Sequence, residues 1–178
     1  MKTLTVSALV CAMMALAGAA VLPEGAPEED QMAKSHLVKG STACSGGWTL
    51  LHDRCFHYVP RALRWAEAEK HCVFMGGNLA SVHSAQEYHS IQALMISTSH
   101  QYKETWIGGS DAEEEKQWFW SDGTPFHYLN WCSGEPNNMH QQNCLQMNYG
   151  ADKCWDDDHC SRQKPSVCAK KKLTDREA

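Results

Sequence analysis

The chain has 178 residues, a formal net charge of −5 and nine cysteines. No basic stripe stands out, which argues against nucleic acid as a partner. Past the first twenty residues no segment is long and apolar enough to span a bilayer, and no internal repeat divides what remains.

The basic start Met1-Lys2 is followed by an apolar run from Leu4 that ends in Ala17-Gly18-Ala19-Ala20. This is the pattern of a secretory signal peptide, so residues 1–20 are expected to be removed and the product to be secreted. Cys11 leaves with them. The eight remaining cysteines, an even number in an oxidising compartment, argue for four disulfides. The ten histidines do not pair with cysteines at zinc spacing, so no structural zinc is expected. Residues 21–40 carry Pro23, Pro27 and the acidic run Glu28-Glu29-Asp30, the composition of a disordered propeptide or linker. One domain, residues 41–170, and a polar tail, 171–178, complete the chain.

Within the domain, Gly46 to Tyr58 reads as a strand pair broken by the turn-forming His52-Asp53-Arg54. Cys44 and Cys55 flank the first strand and can close that hairpin. Pro60 is expected to open a helix, since proline is tolerated in a first turn. Trp65, Ala68, Cys72 and Met75 recur at helical spacing, and Gly76-Gly77 ends the run. Leu79 to Val82 reads as a short strand. Ser84 to Glu87 matches a capping box before a second helix with Tyr88, Ile91, Leu94 and Met95 on one face. Strands and turns follow at Trp106-Ile107-Gly108-Gly109, Trp118-Phe119-Trp120 and Ser121-Asp122-Gly123. Trp48, Trp65, Trp106 and Trp120 are expected in the core. The acidic run Asp111 to Glu115 reads as a solvated loop. The expected class is α+β: two helices, short antiparallel strands and a loop-rich second half stapled by disulfides.

The strongest chemistry lies between Trp131 and Cys160. Glu135, Asn137, Gln142, Asp156 and Asp157 offer hard oxygen atoms, and Cys132, Cys144, Cys154 and Cys160 bracket them. Calcium takes about six to eight oxygen ligands, carboxylates prominent among them. Adjacent carboxylates also serve acid–base catalysis, but no nucleophile motif accompanies these, so an enzyme is not expected.

Read in order, the pieces resemble the C-type lectin-like domain: the Cys44/Cys55 start, W-A-E-A-E-x-x-C ending at Cys72, and G-G-N-L-A-S-V-H-S from Gly76. W-I-G-G at Trp106, W-S-D-G-T-P at Trp120, E-P-N at Glu135, W-D-D at Trp155 and Cys168 follow. The closer likeness, carried by the signal segment and by Cys132 and Cys154, is to small secreted fish lectins and the related fish type II antifreeze proteins. The resemblance implies the pairs Cys44–Cys55, Cys72–Cys168 and Cys144–Cys160, leaving Cys132 with Cys154. A further bridge of the antifreeze relatives is absent, with Asp111-Ala112 and Asn143 in its region.

The same resemblance implies a calcium ion held by Glu135, Asn137, Gln142, Asp156 and Asp157 around a cis Pro136. Gln142 stands where the family carries an acid, and Asp156 where it carries an amide. Sugar hydroxyls are then expected on the metal, bonded also to Glu135, Asn137, Gln142 and Asp156. His140 and Tyr149 are candidates for the rim, although plain surface placement is the commoner outcome. Mannose-type sugars are the first expectation, from E-P-N; the exchanged Gln142 and Asp156 keep galactosides open. The implied function is a secreted calcium-dependent lectin of innate defence whose partners are glycans, among them those of microbial surfaces. Single lectin sites are weak, so a homo-oligomer is a natural arrangement. The alternative is an ice-binding protein with ice as its partner.

Overall fold

The structure, a computed structural model, describes residues 44–173. The expected signal peptide, the 21–40 linker and residues 174–178 of the tail lie outside them. The elements run β1 (Thr49–Leu51), β2 (Arg54–Leu63), α1 (Trp65–Phe74), β3 (Asn78–Leu79), α2 (Ala85–Ser99), β4 (Thr105–Ser110) and β5 (Phe119–Trp120). Then come β6 (Cys144–Tyr149), β7 (Cys154–Asp158) and β8 (Lys164–Lys171). The class is α+β. The strands form one sheet in the order β1-β2-β8-β4-β6-β7, with β3 on β8 and β5 on β4. All pairs are antiparallel except β4 with β8, where Trp106 lies opposite Ser166. The long β2–β8 ladder brings the last described strand back beside the first hairpin.

Pro60 does not open α1. It lies exposed within β2, where the register against β8 shifts between Val59 and Leu63. A residue without an N–H fits where the ladder is already interrupted. The helix starts five residues later. Arg64 is its extended N-cap, and the Arg64 N–H donates to Glu67 Oε2 at 3.1 Å. Ala68 and Cys72 are buried and Trp65 and Met75 half-buried, so the helical face is the one that the spacing predicts. The expected strand at Leu79–Val82 is shorter and earlier. Past Leu79 the backbone bonds irregularly: Ala80 N donates to Val167 O at 2.8 Å, and Ser81 O accepts from Arg54 at 2.8 Å.

At the start of α2, Ser84 accepts from Glu87 N at 3.1 Å, which is half of the expected capping box. The reciprocal half is displaced. Glu87 Oε2 takes the His83 N–H at 2.7 Å, and Oε1 pairs with Arg54 at 2.6 Å. Arg54 draws the carboxylate off the helix end and ties α2 to β2. Tyr88, Ile91 and Met95 then point into the core.

The core has two parts. One gathers Phe56, Ile91, Met95, Ile107, Trp120, Leu145 and Trp155 under α2. The other gathers Trp48, Val59, Ala68, Leu79 and Trp106 around three of the four disulfides. Of the four tryptophans expected in the core, Trp48, Trp106 and Trp120 are buried, and Trp65 is half-buried and donates its indole N–H to Ile107 O at 2.9 Å. Gly108 is needed where β4 crosses β3: a Cβ there would meet Leu79 O at 2.6 Å. Cysteines pair as Cys44–Cys55, Cys72–Cys168, Cys132–Cys154 and Cys144–Cys160.

Lys164 on β8 is buried and reaches Asp158 of β7 at 2.8 Å and Glu104 at 3.0 Å. Burial alone would raise the Asp158 pKa. The hydrogen bond and charge of Lys164 outweigh it and hold that carboxyl below the usual carboxylate range. A depressed carboxyl pKa contributes stability above the unfolded value, lost as pH falls through the folded one. Lys164→Met should therefore cost roughly 3 kcal/mol at neutral pH by urea denaturation, the low end for stripping a partner from a buried charge, because Arg162 stays 3.2 Å from Asp158. The deficit should shrink as pH falls below about 4, where the unfolded chain protonates first, and vanish once pH passes the depressed folded-state pKa of Asp158.

Candidate functional site

The β6–β7 hairpin sets Leu145 opposite Asp157 and Gln146 opposite Asp156. Three consecutive carboxylates, Asp156, Asp157 and Asp158, are thus buried along β7. Each is accommodated differently. Asp158 is neutralised by Lys164 and by Arg162, at 3.2 Å. Asp157 accepts backbone N–H groups from Asn137 at 2.9 Å and Asn138 at 2.7 Å. Asp156 has a neutral donor, Gln146 Nε2 at 2.6 Å, and no ion pair among the described residues. Burial, and then the neighbouring Glu135 carboxylate, push the Asp156 pKa up to about 7 although the Gln146 bond opposes this.

The loop above β7 supplies Glu135, and the Glu135–Pro136 peptide is cis. Carboxylate oxygens of Glu135, Asp156 and Asp157 all lie within 4.8 Å of one another. Glu135 Oε2 is buried without a hydrogen-bond partner. The cluster is acidic and short of donors, and its Asp156 carboxyl is held above the usual carboxylate range, all features that a cation relieves. The structure gathers these three of the expected ligands. Asn137 is exposed, and its Oδ1 accepts from Met139 N at 2.8 Å. Gln142 leans toward Asp158, with Nε2 at 3.4 Å, while its Oε1 is buried and unpaired. Tyr149 stands in the field of Asp156, which raises its phenol pKa.

Two devices hold this loop, and one was invisible in the sequence. The Cys132–Cys154 bridge joins the start of the loop to β7, beside an isolated bridge between Trp131 and Trp155. The acidic run read as solvated is the other. Asp111 is buried, accepting Asn143 Nδ2 at 3.0 Å and Lys116 N at 2.9 Å. Glu115 accepts Asn138 Nδ2 at 2.5 Å. These two carboxylates clasp the segment between Asn138 and Asn143. Composition suggested solvent because nothing local distinguishes an acid that bonds to a loop some thirty residues away. Asp158 and Gln146 were likewise not singled out; strand register is what brings them to the cluster.

Fold and site together define a disulfide-stapled α+β binding module with an acidic cluster beneath a tethered loop. Residues 61–170 match the family model described as the lectin C-type domain, and the chain belongs to that family. It is 39% identical to ladderlectin of Oncorhynchus mykiss, over 97% of this chain and 96% of that protein. It is 42% identical to a type-2 ice-structuring protein of Hemitripterus americanus, over 93% and 98%. The galactose-specific lectin nattectin of Thalassophryne nattereri is 38% identical, over 74% and 83%. Among solved structures, the herring type II antifreeze protein superposes with a TM-score of 0.68 at 38% identity, covering 74% of this chain and all of the other. A calcium-independent type II antifreeze protein gives 0.67 at 41%, covering 73% and 95%. No helix among the described residues is long and apolar enough to cross a membrane.

Asp157 anchors the loop whether or not a cation is bound. Asp157→Ala should lower stability by roughly 2–3 kcal/mol even in chelator, because two backbone donors lose a charged acceptor. Denaturant titration of both proteins in chelator checks this.

Proposed function

We propose that this protein is a secreted, calcium-dependent lectin that binds glycans through hydroxyl pairs, as expected of a defence protein acting on foreign surfaces. The observation that carries the reading is the convergence of Glu135, Asp156 and Asp157 within 4.8 Å, with Glu135 Oε2 buried and without a hydrogen-bond partner. Oxygen atoms in that number and of that charge suit calcium better than a thiol- or imidazole-seeking metal. Glu135, Asp156 and Asp157 would hold the ion, with Asn137 and Gln142 as the remaining ligands of the expected set. Bound there, the ion would supply open coordination positions to two sugar hydroxyls. Glu135 and Asp156 accept hydrogen bonds from those hydroxyls, and the amides of Asn137 and Gln142 donate to their oxygens. Asp157 holds the loop backbone in place for both. The lectin relatives support the carbohydrate part of the reading. The four disulfides support an extracellular setting.

The sugar follows from the donor–acceptor ring. Glu135-Pro136-Asn137 favours mannose-type sugars. Asp156 removes an amide donor from that ring, and nattectin is named as galactose-specific, so galactosides are the second choice. The ice-binding reading has its own support in the ice-structuring relatives and in the structural likeness to antifreeze proteins.

Millimolar calcium should raise the melting temperature relative to chelator, by about 2.7 kcal/mol of stability at a hundredfold excess over the dissociation constant. Identical curves would remove the metal site. In chelator the raised pKa of Asp156 favours the folded state fully below about pH 4, and this advantage fades as pH rises toward about 7. The calcium-dependent gain should therefore grow across that interval, as the metal displaces the proton.

Retention on immobilised mannose or galactose should require calcium and disappear in Glu135→Ala and Asn137→Ala. A protein that ignores both sugars but shapes ice crystals belongs to the alternative reading.

A further inference from the structure

A cavity of about 370 Å3 has Pro136 in its wall. Its walls include Trp118, Phe126 and Trp131, and its polar groups are Lys116 and Gln117. The aromatic walls are fixed relative to each other: Trp118 meets Trp131 edge-on at 4.8 Å and Phe126 at 6.1 Å between ring centroids. The set rests on the buried core, since Phe126 and Trp131 both pack against Trp155 at about 6 Å. The Lys116 ammonium forms no ion pair among the described residues, and Gln117 is exposed. Trp118 has a buried indole N–H with no acceptor.

We infer that this pocket is a second saccharide subsite, which takes the pyranose next to the one held at the Glu135–Asp156–Asp157 cluster. The inference rests on the lectin reading above. A pyranose has a face of C–H groups and an edge of hydroxyls. Aromatic walls accompanied by a few polar groups match that division, because apolar surface supplies contact area and placed polar groups fix orientation. The volume reaches the lower range of small-ligand sites, about 300 Å3, so it suits one ring rather than a peptide segment. Position decides the occupant. Pro136 lines the pocket, and its neighbours in the chain are Glu135 of the carboxylate cluster and Asn137. A glycan with its terminal ring at the cluster therefore crosses Pro136 to reach Trp118 and Phe126. Glycan length is read here, separately from the terminal sugar.

The test compares a monosaccharide with its disaccharide by calorimetry in millimolar calcium: methyl mannoside with mannobiose, and galactose with lactose. For the preferred sugar, the disaccharide should bind roughly three- to tenfold more tightly, the worth of one or two net hydrogen bonds. The double variant Lys116→Gly with Gln117→Ala should lose that advantage and keep the monosaccharide affinity. Glycine is chosen because Lys116 has φ 68°, which glycine adopts without strain. The Trp118 indole N–H resonance should shift with the disaccharide and stay still with the monosaccharide. Equal affinity for both sugars, or an unchanged advantage in the double variant, overturns the subsite and leaves the lectin reading intact. Binding of neither sugar overturns both. A phenyl glycoside that gains as much as the disaccharide while the indole resonance stays fixed assigns the pocket to any apolar group and overturns the saccharide proposal.

Discussion

The site depends on one buried side chain, Trp155. Its indole is fully buried and lies within about 6 Å, centroid to centroid, of Tyr88, Trp120, Phe126, Tyr128 and Trp131. These rings come from α2, from β5 and from the long segment without regular structure that follows it. Aromatic edge-to-face packing of this kind adds direction to area burial. Trp155 therefore joins the helical layer to a loop that has almost no backbone ladder of its own. Cys154 and Asp156 flank it in the chain, so whatever fixes the indole also fixes one end of a disulfide and one wall of the acidic cluster.

Around that anchor the protein places three neighbouring carboxylates in its interior and treats each by a different means. Asp158 has full cationic compensation, Asp157 has amide hydrogens, and Asp156 has a neutral amide and an acidic neighbour. Buried charge is costly unless it is paired, and the gradient runs from fully paired to unpaired over three residues. The unpaired end faces Glu135. Of the three, only Asp158 has a protein cation beside it, which is why the metal reading attaches to Asp156 and Asp157.

Much of the fold was legible because it is written in local pattern. The spacing of Ala68, Cys72, Tyr88, Ile91 and Met95 marks helix faces, and glycines punctuate them. The loop chemistry was legible for another reason: Glu135, Pro136, Asn137 and Trp155 to Asp157 lie in two short runs that resemble a known family. What escaped was set by distance in sequence. Pro60 looked like a helix start because proline serves both there and at a strand irregularity, and the bulge is decided by β8, a hundred residues on. Asp111 and Glu115 looked solvated because their partners, Asn143 and Asn138, lie in another loop. A hydrogen bond from Asn143 to Asp111 is what joins these two loops.

The Cys72–Cys168 bridge spans 96 residues and encloses both Cys132–Cys154 and Cys144–Cys160. Any single proteolytic cut between Cys72 and Cys168, including one in the exposed stretch around Met139, leaves two pieces covalently joined. Such a nicked molecule keeps its mass and its packed half, and separates only under reduction. Cleavage of the loop that carries Glu135 thus becomes a local loss of structure rather than the release of a fragment.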